Sequence, residues 1–313
     1  NPGDDRGHTQ YNRLFPEIGY ASKLNAVVAL HRYTRISGFL ASEESPSGFL
    51  TSRIDFIGRA QSLWSPRILQ TLAFRRPADT EASPTFDSIS SVRVELAVAA
   101  KASGKLRFLV GCTEDKAEVE KLIRQHLNPD SENATAGTPR SPLIGHGEIL
   151  PDTPQPYFEY ADNGNTLRLL TPFPPRPWDH SMSNSLGHVL CVTNRGLHTT
   201  ANGNSQQNRI TPDWADTTTQ ETPGEAIYLN DLDTEEWHSP TWHPLNDPTA
   251  GYTTDFSVDG TACFHMTKKD VQTELTTFVP MDHPVGIYLL TIRNTSAQPK
   301  RMRVAPYFQI ALA

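Results

Sequence analysis

Val92-Arg93-Val94-Glu95-Leu96-Ala97-Val98 is followed, across Ala102-Ser103-Gly104, by Leu106-Arg107-Phe108-Leu109-Val110. The first run alternates apolar and polar side chains with the period of two that a half-buried β-strand imposes. The glycine-containing turn predicts that the second run returns as its hairpin partner. The fold class expected from this stretch is all-β. Toward the N-terminus, Leu24-Asn25-Ala26-Val27-Val28-Ala29-Leu30 reads as another strand. On the other side, Glu114 to His126 reads as a helix. Thr113 is its expected N-cap, and Ala117, Val119, Leu122 and Ile123 supply an apolar stripe.

Composition changes after Leu127. Asn128 to Pro154 is rich in Pro, Ser, Gly, Asn and Thr, so residues 129–155 are expected to form an interdomain linker. Strand patterns then resume at Leu167–Leu170, Val189–Val192, Ala226–Leu229, Tyr288–Ile292 and Met302–Val304. Asn294-Thr295-Ser296-Ala297-Gln298-Pro299 reads as a hairpin-like turn between the last two. Many short strands at this spacing predict a β-sandwich.

With 25 Pro and 19 Gly among 313 residues, turns are favoured over long helices. A net charge of −7 argues against a nucleic-acid partner, because phosphate backbones recruit a surplus of Lys and Arg. No apolar run approaches the roughly 18 residues of a membrane helix. Cys112, Cys191 and Cys263 are an odd, widely spaced set, read as free thiols, the first two buried, in a reducing, cytoplasmic compartment. The sequons at Asn133 and Asn294 are discounted as chance occurrences.

No residue set suggests catalysis. Asp231/Asp233 and Glu235/Glu236 are acid pairs of the kind glycosidases use, but such close neighbours in a turn read as solvated acids. His238 and His243 flank Ser-Pro-Thr-Trp without an evident third ligand, so no metal is expected. Ser205 lacks the glycines of a nucleophile elbow. Trp178, Trp214, Trp237 and Trp242 fall in one region, as core filling or as stacking surfaces for sugar rings. The polar loop from Asn202 to Trp214 is the best binding candidate, with Asn204, Gln206, Arg209 and Trp214 as substrate-binding residues.

Three ordered segments carry a resemblance. They are Gly203-Asn204-Ser205-Gln206-Gln207-Asn208-Arg209-Ile210-Thr211-Pro212-Asp213-Trp214, then Pro223-Gly224-Glu225-Ala226-Ile227-Tyr228-Leu229-Asn230-Asp231, then Glu274 to Val285. With Pro177–Asn184, Trp237/Ser239-Pro240-Thr241 and Arg293–Ser296, they resemble the opening portion of the N-terminal β-supersandwich of glycoside hydrolase family 94. Arg53-Ile54-Asp55-Phe56-Ile57-Gly58-Arg59-Ala60-Gln61-Ser62-Leu63 and Leu106–Gly111 resemble the closing portion of such a sandwich. The chain departs from the family pattern at Gln206-Gln207, where Arg-Glu is usual, near His198–Thr200, where an aromatic is common, and at Phe308-Gln309-Ile310, where Glu-Trp is usual.

The resemblance implies parts of two tandem supersandwich domains of the galactose-mutarotase-like kind: residues 1–128 closing one, linker 129–155, and residues 156–313 opening another. A circularly permuted single sandwich is the minor alternative. The implied chemistry is inverting phosphorolysis of a β-glucan, in which an acid protonates the glycosidic oxygen and inorganic phosphate attacks the anomeric carbon. Acid and phosphate site belong to an (α/α)6 barrel that follows the sandwich in the family. This chain is thus expected to be a non-catalytic scaffold piece of a longer enzyme, a cyclic β-1,2-glucan synthase or oligoglucan phosphorylase. Expected partners are a β-glucan oligosaccharide, the barrel and a second copy in a homodimer. No cofactor is expected, and any membrane anchor would lie in other segments. A stand-alone carbohydrate-binding or structural sandwich is the competing reading.

Overall fold

The computed structural model describes residues 16–31, 35–58, 61–78, 80, 82–85, 87–127, 157–175, 178–202, 210–211 and 224–312. The expected linker and the expected sugar-binding residues Asn204, Gln206, Arg209 and Trp214 lie outside them. The first stretch holds strands β1 (Pro16–Ala21), β2 (Ala26–His31), β3 (Ser37–Ser42), β4 (Gly48–Ser52), β5 (Ser83–Pro84), β6 (Ser88–Val98) and β7 (Ser103–Thr113). Between β4 and β5 come short helices α1 (Arg53–Ile57) and α2 (Ile68–Thr71), and after β7 comes α3 (Lys116–Leu127). The second stretch holds β8 (Phe158–Ala161), β9 (Thr166–Leu169), β10 (Asp179–Ser183), β11 (His188–Thr193), β12 (Gly196–Asn202) and β13 (Glu225–Asp231). It ends with β14 (Trp237–His238), β15 (Gly251–Ser257), β16 (Thr261–Lys268), β17 (Val271–Phe278), β18 (Val285–Asn294) and β19 (Lys300–Gln309).

These strands form an all-β sandwich. An eleven-stranded sheet runs β5-β1-β2-β3-β7-β18-β17-β16-β15-β9-β8; a five-stranded sheet runs β14-β13-β19-β6-β4; β10-β11-β12 form a third. The expected hairpin of β6 with β7 does not form, nor does one of β18 with β19. Each turn carries the chain from one sheet into another, and the two strand pairs exchange partners. β7 pairs antiparallel with β18, from Ser103↔Arg293 to Gly111↔Val285. β6 pairs antiparallel with β19, from Ile89↔Gln309 to Val98↔Lys300.

This exchange corrects the division into two half-domains. Residues before and after the expected linker share a ladder in both large sheets, so they build one sandwich. The physical reason is that a local hairpin satisfies backbone bonds but buries little. Partners from the other stretch place β6, β7, β18 and β19 at the centres of sheets, where both faces are covered.

The alternation along each strand sorts side chains into layers. Leu106, Phe108 and Val110 of β7 join Leu290 of β18, Val94 of β6, Val304 of β19 and Ile227 of β13 in the core between the sheets. Leu109 points the other way, with Phe39, Ala41 and Ile287, against Val119, Leu122 and Ile123 of α3. On the outer face of the five-stranded sheet, Tyr228 and Tyr307 pack with Phe56 and Ile57 of α1 and Ile68 of α2. The helix predicted over 114–126 begins at Lys116. Asp115, not Thr113, caps it: Asp115 Oδ1 accepts from Ala117 N at 2.9 Å, while the Thr113 hydroxyl accepts from Asp115 N at 3.2 Å.

Candidate functional site

Of the loop from Asn202 to Trp214, the best binding candidate in the sequence, Asn202, Ile210 and Thr211 are among the described residues, and Gly224 lies beyond it. Ile210 N and Thr211 N both donate to Thr200 O at 3.0 Å, and Gly224 N donates to His198 O at 3.0 Å. From the other side, Ala311 N donates to Ile210 O and Gln309 N to Gly224 O, both at 2.9 Å. Thr211 Oγ1 also accepts from Thr200 N at 2.8 Å.

Next to Gly224 comes Glu225, 1% exposed. Its Oε1 accepts from the Thr200 hydroxyl, and from Thr211 Oγ1 at 3.0 Å. Its Oε2 accepts from the Tyr288 hydroxyl at 2.8 Å. Thr200 belongs to β12, Glu225 to β13 and Tyr288 to β18, so one carboxyl fastens a strand from each of the three sheets. Burial pushes the carboxyl up to about 7, against the opposing pull of the three hydroxyl donors. Both oxygens are engaged and sealed from solvent, which suits an anchor and not an acid that must reach a glycosidic bond. The Pro223-Gly224-Glu225 triplet was legible as a motif, but Glu225 was not singled out. The available signal was an acid opening the apolar run Ala226–Leu229.

A second polar cluster lies on the outer face of the eleven-stranded sheet. Register places Arg168, Asp255, Cys263 and Thr276 in one cross-strand row, and His265 opposite Glu274 in the next. Arg168 grips Asp255 through Nε to Oδ1 and Nη2 to Oδ2, each 2.8 Å. Asp255 Oδ2 lies 3.4 Å from His265 Nε2. Hydrogen bonds to Asp255 and Cys263 raise the imidazole to about 10. The Arg168 pair holds Asp255 down to about 2 against the effect of its burial.

The other nominated residues fall apart in space. Trp178 is 37% exposed and rests on Phe158, ring centroids 5.9 Å apart. Trp242 meets Phe173 at 4.8 Å and Tyr252 at 5.7 Å. Trp237 packs on the Tyr228 cluster beneath the five-stranded sheet. His238 is buried and driven down to about 4, chiefly by burial. The His243 ring meets Asn246 Oδ1 at 2.8 Å. Among the described residues, His238 and His243 join no ligand cluster.

The reading of the turn acids as solvated is corrected at Asp231. It is 1% exposed and takes Lys300 Nζ at 2.6 Å. Asp233 pairs with Arg301 at 2.9 Å, and Glu236 with Lys269. Asp233 and Glu236 remain in reach of solvent as expected, each with a cationic partner beside it. Cys112 is buried as expected, whereas Cys191 is only half-buried.

Among the described residues, no helix is long and apolar enough to cross a membrane. In sequence, the chain is 26% identical over 159 residues to the N,N'-diacetylchitobiose phosphorylase of Vibrio furnissii, a match covering 50% of this chain and 20% of that protein. It is 27% identical over 89 residues to the cellobionic acid phosphorylase of Neurospora crassa, covering 28% of this chain and 11% of that one. The chain therefore matches a fifth or less of the length of these relatives. The family model of the glycosyl hydrolase 94 supersandwich domain matches residues 1–129 and 166–313, on both sides of the expected linker. With both stretches built into one sandwich and nearly the whole chain matched, this chain belongs to the glycosyl hydrolase 94 family, as its supersandwich domain.

Proposed function

We propose that this domain is the non-catalytic scaffold of a family 94 enzyme that moves glycosyl units between a β-glucan oligosaccharide and inorganic phosphate. Two similar proteins are phosphorylases by name, which supports glycosyl transfer to phosphate as the chemistry of the whole protein. In this reading an (α/α)6 barrel elsewhere in the protein supplies the general acid and the phosphate site. The finer reading is an oligoglucan phosphorylase or a cyclic β-1,2-glucan synthase, with phosphate as co-substrate and no resident cofactor.

The observation that carries this reading is the anchoring of Ile210, Thr211 and Gly224. Beside them, the Glu225 carboxyl joins Thr211 to Thr200 and Tyr288. Asn204, Gln206, Arg209 and Trp214 flank the anchored Ile210 and Thr211 in sequence, and we assign these four to sugar contact. The test has two readouts on the 313-residue chain. Incubated with β-1,2-, β-1,3- or β-1,4-glucooligosaccharides and phosphate, it should release no glucose 1-phosphate and no free sugar. Titrated calorimetrically with the same sugars, it should bind one of them, at least about tenfold more weakly after Arg209→Ala or Trp214→Ala. Sugar release above a blank would overturn the scaffold assignment. Binding unchanged in both variants would overturn the loop assignment.

A further inference from the structure

We infer that Cys263, His265 and Glu274 form a binding site for a borderline-soft divalent cation, zinc in the first place, on the outer face of the eleven-stranded sheet. One ligand atom from each residue lies within 4.8 Å of the other two. The placement follows from strand geometry. Cys263 and His265 are two apart on β16, so both project from the same face. Glu274 on β17 is the direct cross-strand partner of His265. A four-coordinate zinc with bonds of about 2.0–2.3 Å needs ligand atoms roughly 3.3–3.8 Å apart, so small side-chain rotations complete the set. Cys263 and His265 are half-buried and Glu274 is exposed, so a cation reaches the cluster from solvent.

The surroundings resemble those of a built metal site. A ligating imidazole needs its second nitrogen held, and a carboxylate commonly does this. Asp255 stands 3.4 Å from His265 Nε2 and is itself fixed by the two-point grip of Arg168. That leaves Nδ1 as the nitrogen for coordination. The Thr276 hydroxyl reaches Cys263 Sγ at 3.5 Å, a donor suited to a thiolate. The sulfur, nitrogen and oxygen mixture suits zinc, cobalt or copper over magnesium or calcium, which prefer all-oxygen shells. On binding, the Cys263 thiol proton and the Nδ1 proton of the His265 imidazolium both leave to solvent, the sulfur and Nδ1 bond the cation, Nε2 keeps its proton toward Asp255, and a water takes the open position. No step of the proposed glycosyl transfer uses this site.

Cobalt(II) reports on it directly. Titrating the metal-free chain with Co2+ should produce a thiolate-to-cobalt charge-transfer band that saturates at one equivalent and is displaced by Zn2+. Cys263→Ser should abolish the band. Cys112→Ser and Cys191→Ser should keep it, and Asp255→Asn should weaken binding about 10–100-fold. A readout without mutation guards against misfolding: Zn2+ should slow iodoacetamide labelling of Cys263, mapped by mass spectrometry, and leave Cys191 unchanged. A band that persists in Cys263→Ser, or equal labelling of Cys263 with and without Zn2+, would overturn the site.

Discussion

The side-chain amide of Asn294 donates to the main-chain carbonyl of Val98 at 3.2 Å, joining residues 196 positions apart. The same nitrogen reaches Ala99 O at 3.2 Å and Gln298 O at 2.7 Å, and Asn294 Oδ1 accepts from Ser296 N at 2.9 Å. Asn294 therefore stitches together the turn after β6 and the turn after β18, where the chain changes sheets. Its main-chain N completes the join to Ala102 O at 2.9 Å. At 1% exposure the side chain is committed to the interior, which agrees with discounting Asn294 as a glycan acceptor.

Asn294→Ala should destabilise the domain by about 3 kcal/mol, because buried carbonyls lose their donor and gain none. Urea unfolding followed by fluorescence and by far-ultraviolet circular dichroism should shift to lower midpoint together. A loss under about 0.5 kcal/mol would show that the two turns hold without this link.

Strand identity was legible at the most regular apolar runs, and strand pairing was not legible at all. Alternation at Val92–Val98 and the apolar run at Tyr288–Ile292 reveal which face each side chain takes, a local property. Ala102-Ser103-Gly104 looks the same whether the chain doubles back in one sheet or crosses to another. The choice is made by what lies opposite, Arg293 across from Ser103, and no local pattern carries it. The site divides similarly. The Pro-Gly-Glu motif could be read, but Glu225 gains its partners Thr200 and Tyr288 only through the fold. Cys263-x-His265 carries no metal-site spacing in the sequence and becomes a same-face pair only with the strand β16, which the sequence reading does not propose. Its third member, Glu274, needed the register.

Glu225 should make stability pH-dependent on the alkaline side. Its carboxyl is raised from 4.5 to about 7 by burial. The folded state therefore holds the proton more tightly than the unfolded chain. The associated stability is fully present below about pH 4.5 and is lost as pH rises through 7, amounting to about 3 kcal/mol. Glu225→Gln keeps the shape and cannot ionise. Chemical denaturation from pH 5 to 8.5 should show the wild-type chain losing stability relative to this variant. Parallel curves would mean that Glu225 stays ionised throughout.

His188 should act in the opposite direction. It is fully buried on β11, and burial lowers it from 6.5 to about 3. Its folded pKa is depressed, so the unfolded chain binds the extra proton. Stability from the neutral ring is present above about pH 6.5 and is lost as pH falls toward 3. His126 and His238, each lowered to about 4, add to the same trend. His188→Leu should flatten the acid limb of a melting-temperature profile between pH 6.5 and 4. An unaltered limb would count against a neutral buried ring.

Arg168→Ala should loosen the outer cluster without touching the core. Arg168 holds Asp255 by two 2.8 Å bonds and lies on β9, next to the sheet-edge strand β8. The pair is only partly buried, so the loss should be modest, about 1 kcal/mol. The sharper signal is local. Asp255 loses its fixed orientation, and the His265 ring resonances should broaden or shift in NMR spectra. Unchanged His265 resonances would show that Asp255 is held by other contacts.

The exchange of partners between β6–β7 and β18–β19 has a consequence for the chain cut in two. A piece covering 16–127 carries β6 and β7 without β19 and β18, leaving two long central strands as open edges. A piece covering 157–312 carries the complementary pair in the same condition. Each would also expose one side of the core, with Phe108, Val110 and Val94 on one piece and Leu290, Val304 and Ile227 on the other. Open edges beside an uncovered apolar face drive association. Expressed singly, each piece should be aggregated or lack a cooperative melt. Expressed together, they should copurify one to one and melt as one unit, since severing the connection costs mainly loop-closure entropy that depends weakly on length. Cooperative folding of either piece alone would restore two independent half-domains, and failure of the pieces to associate would show that the connecting segment is needed to form the shared ladders.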